Sequence, residues 1–409
     1  MARAAHLPAR GPRGVLPGPR APLGLPPVGP VVAVVGGGQL ARMMAEPAAA
    51  LQIRLRALVE AADGAAAQVL PDSPVGTPQH LDQLRALVAG ADVLTFEHEH
   101  IPGDHLRALV AEGVSVQPGP DALACAQDKL HMRERLGALG VPCPRWARVS
   151  TAAELEEFAE TVGRPVIVKT PVGGYDGKGV RVVSHADEVA DWMADGGALL
   201  VEEKVPFVRE LAALVARRPS GEMRSWPVVE TIQRDGVCAE VLSPAPGLDP
   251  ELARQAEEIA RTVAEGLGVT GVLAVEMFAT AEGVLVNELA MRPHNSGHFS
   301  IDGSVTSQFE QHLRAVLDLP LGDTSPTAPW AVMVNLLGSE LEDPASAYPA
   351  LMARCPEAKV HLYGKAVRPG RKLGHVTVTG ADLGACRERA TAAVAILRGE
   401  DPIEREEVG

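Results

Sequence analysis

Five cysteines in 409 residues leave little material for cross-links. Cys125, Cys143, Cys238, Cys355 and Cys386 are scattered, odd in number and form no Cys-x-x-Cys pair. This argues against a disulfide framework or a cysteine zinc site and fits reduced thiols in a cytoplasmic setting. Long apolar runs are also missing: none reaches the roughly 18–20 residues that a membrane-spanning helix needs. Basic residues are in deficit. With 38 Lys and Arg against 52 Asp and Glu, the net charge is −14, which argues against a nucleic-acid or anionic-membrane partner. A phosphorylated substrate stays open, because a site can be locally basic on an acidic chain. Acids are absent from residues 1–30, which are rich in Pro, Gly and Arg and lack the continuous apolar core of a signal peptide. That stretch reads as a disordered extension, with a basic partner-binding arm as the alternative.

What is present is 46% hydrophobic residue, enough to build the cores of two or three domains. From Val31, the run VVAVV, the turn GGG, the helical QLARMMAEPAAAL and the strands IRLRALVE and ADVLTFE set a βαβαβ rhythm over residues 31–120. This predicts a doubly wound parallel sheet, with Thr77 capping a helix that has Pro78 at its first position. A second region, 121–325, opens with one long helix over DALACAQDKLHMRERLGALG, closed by Gly140. Within it Thr151 and Glu154 form a capping box, followed by strands on both sides of a glycine loop and then antiparallel strands. A third region, 326–400, holds short strands and a final helix and reads as a small β-rich domain. The class is therefore α/β and α+β together.

Three stretches carry chemistry. Gly36, Gly38 and Ala41 fit G-x-G-x-x-A between a strand and a helix, with Glu60 further on. Such a turn faces backbone amides and a helix N-terminus toward an anion. It suits a dinucleotide, another phosphate, or no ligand at all. In VLAVEMFATAEGVLVNELA, a loop at Ala281–Gly283 sets a register in which Glu276 opposes Glu288. Like charges directly opposite destabilise a hairpin unless a cation lies between them. Two carboxylates among apolar neighbours suit Mg²⁺ completed by substrate phosphates, whereas two unrelated acids on a solvated face are the bland reading. The polar loop RPHNSGHFSID follows at once, placing Arg292, His294, Asn295, Ser296 and His298 where an anion could be gripped.

The third stretch is PVGGYDGKGV. It is no Walker loop, because three residues separate Gly173 from Gly177-Lys178 and glycine rather than Ser or Thr follows the lysine. Lys169 stands on the strand before it and Lys129 upstream, both suited to nucleotide phosphates, with a snorkelling surface lysine as the plain alternative. Lys365, Arg368, Arg371 and Lys372 gather around a Pro-Gly turn as a phosphate site or a solvated charge run. No covalent nucleophile stands out.

With GGGQLARM, TFEHEHIP, QDKL, VKTPVGGYDGKG, NELAMRPHNSGHFSID and KAVRPGRKLGHV taken together, the chain resembles the ATP-grasp ligases over about residues 31–380. Within them it is most similar to the N5-carboxyaminoimidazole ribonucleotide synthase family. The resemblance implies an ATP-grasp fold with a doubly wound pre-ATP-grasp domain, a flap subdomain over about 125–200 and a small C-terminal β-rich domain. It implies carboxylation of 5-aminoimidazole ribonucleotide by bicarbonate and ATP through carboxyphosphate, with Mg²⁺ (or Mn²⁺) and a cytoplasmic homodimer. By the same resemblance Lys129, Lys169, the flap with Gly174, Gly177, Lys178 and Gly179, Glu202, Val205, Glu210, Gln233 and Asn287 meet ATP. Glu276 and Glu288 match magnesium ligands, and Tyr175, Asp176, Arg292, His294 and Asn295 surround bicarbonate and the amine. Gln39, Lys365, Arg368, Arg371 and Lys372 match substrate-phosphate contacts, and Glu97 a ribose or amine contact. Two positions depart from the family pattern: Lys129 stands where Arg is frequent, losing the guanidinium fork, and Gln233 where His is usual. A formate-dependent ligase acting on glycinamide ribonucleotide is the near alternative, and a nicotinamide oxidoreductase built on the first turn is the distant one.

Overall fold

A computed structural model describes residues 29–174, 179–194 and 196–400. Almost all of the Pro/Gly/Arg-rich extension, and Tyr175, Asp176, Gly177 and Lys178 of the glycine loop, lie outside the described residues.

The run VVAVV forms strand β1 (Val31–Val35), which pairs in parallel with β2 (Arg54–Leu58) and β3 (Val93–Phe96) in the order β2-β1-β3. A strand apolar at every position can be buried on both faces. Val32 and Val34 enter one core with Leu40 and Met44 of helix Gln39–Ala50, while Ala33 and Val35 enter another with Leu84, Leu87, Leu106 and Leu109. The first core also takes Phe309, Leu313 and Val316 from helix Gln308–Val316, so an element from much later in the chain closes the N-terminal sheet.

Two local expectations change. The helix expected at Thr77 begins at Leu81 without a side-chain cap, because the Thr77 hydroxyl closes a turn by accepting from the Gln79 amide at 3.3 Å. The long helix expected over 121–140 breaks at Asp128, whose backbone is extended. The Asp128 carboxylate accepts from the Leu130 and His131 amides and so caps a second helix, Lys129–Ala138, with Lys129 at its first position. The Thr151–Glu154 capping box forms as expected.

Strands β4 (Trp146–Val149), β5 (Val166–Lys169), β6 (Val180–Val183) and β7 (Leu199–Glu203) make an antiparallel sheet ordered β4-β7-β5-β6. The glycine loop joins β5 to β6. At its base the Thr170 amide donates to the Gly179 carbonyl at 3.0 Å, and Gly179 takes φ +74°, which favours glycine.

A nine-stranded sheet supplies the rest. It comprises β8 (Arg209–Arg217), β9 (Met223–Ser225), β10 (Val229–Arg234), β11 (Val237–Ser243), β12 (Gly271–Thr280), β13 (Gly283–Ala290), β14 (Trp330–Leu337), β15 (Lys359–Leu362) and β16 (Lys372–Gly380). Its path is β13-β12-β8-β10-β11-β14-β16-β15, with β9 on β8. The C-terminal strands therefore form no sheet of their own. β14 pairs with β11, satisfying an edge that would otherwise be open, and helix Leu383–Leu397 covers the extension.

Candidate functional site

The β12–β13 hairpin sets the centre of the site. Its loop is two residues, Ala281 and Glu282, one shorter than expected, with Thr280 opposite Gly283. That register alone would not pair the glutamates. A bulge restores the pairing: Met277 faces Val286, Glu276 faces Glu288, and Asn287 is the extra residue. Across the bulge the side-chain alternation inverts. Val284 and Val286 point into the main core before it, Leu289 and Met291 after it, and Glu288 turns to the face that carries Glu276.

Both glutamates line a cavity of about 1080 Å³ enclosed by all three regions of the chain. Lys129 Nζ lies 3.5 Å from Glu288 Oε1 and reaches the Gly174 carbonyl at 3.5 Å. Lys169 Nζ lies 2.7 Å from Glu202 Oε2 and donates to Asn287 Oδ1 at 3.0 Å. Glu202 was expected at the nucleotide; it lines the cavity but its carboxylate is engaged beneath it. Arg133, fully buried, donates from Nε to Glu202 at 2.6 Å and from a terminal nitrogen to the Asn287 carbonyl at 2.8 Å. Burial alone would raise the Glu202 pKa, but Arg133 and Lys169 hold it below the ordinary carboxylate value. Glu210 accepts from Gln233 at 3.3 Å, and Val205 stands beside them in the wall. Phe207 stacks on Phe278 with ring centres 4.6 Å apart at the same wall.

On the opposite side is the loop 292–298. Arg292 Nε lies 2.8 Å from Glu99 Oε1, and Glu99 also lines the cavity. His294 Nδ1 lies 2.9 Å from Ser296 Oγ and 3.4 Å from the Ser296 amide, and Nε2 lies 3.9 Å from Glu276. Burial, then Arg292 and Lys372, push the His294 pKa down to about 3, so the ring is neutral. Asn295 Nδ2 is buried without an oxygen acceptor among the described residues, beside the Cys238 thiol.

The first glycine turn reads differently in three dimensions. The acceptor at the N-terminus of helix Gln39–Ala50 is the buried carboxyl group of Glu97, which accepts from the Gly38 amide and from the Ala41 amide at 3.0 Å, while burial raises its pKa above the ordinary value. Amides that could have held a pyrophosphate are thus taken by the protein's own side chain. Gln39 lines the cavity and accepts from Lys365. The C-terminal cations divide: Lys372 lines the cavity, Arg371 donates to the Ala366 carbonyl at 3.0 Å, and Arg368 stands exposed on the turn. Arg133, Glu99 and Gln308 were not singled out from the sequence. TFEHEHIP carried a legible signal for Glu99, an acid two residues past Glu97, but nothing local pairs it with Arg292.

The donor set fits a hard divalent cation. Glu276 and Glu288 offer carboxylate oxygens facing one another, and among the described residues no group of three or more His, Cys, Asp or Glu could hold a metal alone. A divalent cation held here would need further oxygen ligands, such as substrate phosphate and water. Burial in the cavity floor, with Glu288 and Glu210 nearby, pushes the Glu276 carboxyl up to about 8. A carboxyl raised from its ordinary 4.5 gives the ligand-free fold one proton more than the unfolded chain across that window. Stability should therefore fall as pH rises from 4.5 to about 8. Ligand-free Glu276→Gln keeps the shape of the protonated acid and does not titrate. Scanning calorimetry should find it equal to the parent near pH 5 and more stable near pH 8.5 by about 1–2 kcal/mol, a few degrees in Tm, since cavity water screens part of the effect.

Three known domain families match consecutive parts of the chain: the ribonucleotide synthetase preATP-grasp domain over 30–127, the ATP-grasp domain over 134–309, and the phosphoribosylaminoimidazole carboxylase C-terminal domain over 331–389. N5-carboxyaminoimidazole ribonucleotide synthase of Mycobacterium tuberculosis is 54% identical over 375 residues, 90% of this chain and 87% of the relative. The synthase of Corynebacterium ammoniagenes is 51% identical over 379 residues, covering 90% and 92%. The Aspergillus clavatus enzyme, solved in complex with ADP and 5-aminoimidazole ribonucleotide, superposes with a TM-score of 0.82 at 32% identity, over 90% of this chain and 99% of that one. The same enzyme has been solved with ATP, again with a TM-score of 0.82 at 32% identity, over 90% and 98%.

Proposed function

Because the chain belongs to the N5-carboxyaminoimidazole ribonucleotide synthases, ATP-dependent ligases of the ATP-grasp group, we propose that this cavity brings ATP, bicarbonate and 5-aminoimidazole ribonucleotide together around Glu276 and Glu288. The reaction carboxylates the ribonucleotide amine in purine biosynthesis and releases ADP and phosphate. Neither the formate-dependent alternative nor the oxidoreductase reading is favoured by these relatives.

The observation that carries this assignment of roles is the facing Glu276–Glu288 pair, with Lys129 and Lys169 on one side and Arg292 and His294 on the other. Glu276 and Glu288 would hold magnesium, which would supply positive charge to offset that on the γ-phosphoryl group. Lys129 and Lys169 supply the remaining positive charge, and Asn287, aimed by its bulge, sits beside the nucleotide. Glu210, steadied by Gln233, and Val205 receive the ribose and base, with Glu202 acting from beneath through Lys169. Arg292 and the buried Asn295 Nδ2 grip bicarbonate, and neutral His294 offers an Nε2–H without adding charge. Bicarbonate attacks the γ-phosphorus, ADP leaves, and the amine captures the carboxyl group of carboxyphosphate or the CO₂ it yields. That anhydride hydrolyses in water, so the resemblance supports a glycine loop, rooted at Gly174 and Gly179, that shields it, with Tyr175, Asp176, Gly177 and Lys178 of that loop outside the described residues.

Gln39 and Lys365 join the first and last regions at the phosphate of the ribonucleotide, with Arg368, Arg371 and Lys372 nearby and Glu97 holding the turn behind Gln39. The cysteines, none bonded to another, support a reducing cytoplasmic compartment. The resemblance supports a homodimer and domain limits near 120 and 325. The test is ADP formation that requires both bicarbonate and 5-aminoimidazole ribonucleotide, with the product identified by mass. Dependence on formate instead, or NAD(P)H binding without ATP turnover, overturns the assignment.

A further inference from the structure

Gln308 opens helix Gln308–Val316 and is fully buried behind the loop that carries Arg292, His294 and Asn295. Its side chain bonds to both backbone groups of His294. The His294 amide donates to Oε1 at 2.9 Å, and Nε2 donates to the His294 carbonyl at 2.8 Å. The same Nε2 lies 2.9 Å from His298 Nδ1. Chemistry fixes the amide orientation, since an N–H needs the oxygen and a carbonyl needs the NH₂. Both NH₂ protons then have acceptors, so His298 Nδ1 must be bare.

The surroundings leave Gln308 little freedom. Its own amide donates to Ser300 Oγ at 2.9 Å, and that hydroxyl donates to the Gly297 carbonyl at 2.6 Å. A side chain at Gly297 would collide with Gln308 Oε1 and with Leu214, so the loop lies directly on the amide. His298 is buried among aromatic rings, with His375 at 5.0 Å and Phe309 at 5.6 Å between ring centres, and it contributes to the cavity wall. Burial and the neighbouring His294 hold its pKa well below the ordinary histidine value. A neutral ring with a bare Nδ1 carries its proton on Nε2.

We propose that Gln308 is a positioning residue for the reaction: it fixes the His294 backbone and sets the tautomer that makes His298 an uncharged Nε2–H donor to an oxyanion in the cavity. The inference rests on the functional reading above. Its physical advantage is that a neutral donor in a water-poor site stabilises developing oxyanion charge without first having to be desolvated as an ion.

Nitrogen NMR of histidine-labelled protein, with His298 assigned through its loss in H298Q, reads the tautomer directly. The expected parent spectrum has an unprotonated Nδ1 and a protonated Nε2. In Q308L the resonances should move toward a mixture, and kcat should fall about tenfold or more while KM for ATP stays within about twofold. In Q308E a carboxylate still accepts from the His294 amide but has no proton for the carbonyl or for His298. Its loss should therefore be largest at high pH and shrink as falling pH protonates the carboxyl, a dependence that packing damage alone would not show. Should Q308L fail to fold, the parent tautomer and the Q308E pH profile decide. Parent His298 protonated on Nδ1, folded variants with parental kcat, or a pH-independent Q308E loss each overturn the proposal. A parent without bicarbonate-dependent ADP formation would instead sink the functional reading and leave the tautomer result standing.

Discussion

The double variant Glu276→Gln, Glu288→Gln should lose ATP turnover by about 10³-fold or more while keeping a cooperative unfolding transition. The two side chains face each other across β12 and β13, with Lys129 3.5 Å from Glu288 and His294 3.9 Å from Glu276. Replacing both by amides removes the negative charge that would attract a divalent cation and leaves the hairpin's shape intact. A 10³-fold loss corresponds to about 4 kcal/mol of transition-state stabilisation, a modest demand on the charge a divalent cation would supply. The stability of the ligand-free protein should hold near neutral pH, where burial already keeps Glu276 protonated, and rise above about pH 8, where two facing charges would otherwise oppose. The check is ADP release at saturating bicarbonate and ribonucleotide, alongside a melting curve. Turnover within tenfold of the parent, in a folded double variant, would remove these residues from the metal site.

Arg133→Met is the second large effect, and it falls first on stability. Arg133 is inaccessible to solvent and holds two segments together: Glu202 at the end of β7 and the Asn287 carbonyl at the bulge of β13. Breaking a buried ion pair by removing one partner typically costs 3–5 kcal/mol, because the remaining charge stays buried. Here Lys169 remains 2.7 Å from Glu202, so the lower end, about 3 kcal/mol, is expected in urea unfolding. Activity should fall as well. Lys169 becomes the only counterion of Glu202 and is drawn from the nucleotide, and the bulge that turns Glu288 into the cavity loses a brace. KM for ATP should rise more than KM for bicarbonate. Arg133→Lys keeps the charge without the fork and should fall between parent and Met. A Met variant destabilised by less than about 1 kcal/mol would mean that the triad is already well solvated.

Both predictions bear on how far the site was legible in one dimension. A loop at Ala281–Gly283 predicts the Glu276–Glu288 pairing, and that pairing is the one observed. The route differed, since a shorter loop and a bulge compensate one another. The parity of Val284 and Val286 against Glu288 was the clue to that bulge, because one strand face cannot hold both a core valine and a cavity carboxylate without an extra residue. The break at Asp128 was harder to see: its neighbours suit a helix, and only the paired amides of Leu130 and His131 show it as a cap.

Local order along the chain determined much of this protein by itself. Apolar runs and turn glycines specify the parallel N-terminal strands and the antiparallel hairpins, because periodicities of 2 and 3.6 residues are properties of short segments. Strand position likewise placed Lys169, Glu276 and Glu288. Tertiary structure alone decided which groups remain available to ligands. Glu97 fills the helix N-terminus that the first glycine turn advertises, Arg133 and Lys169 take up Glu202, the C-terminal strands continue the central sheet, and Gln308 grips His294. The physical reason is common to all four. A carboxylate, an amide or a strand edge carries the same hydrogen-bonding capacity wherever it stands, and only folding shows which partner satisfies it.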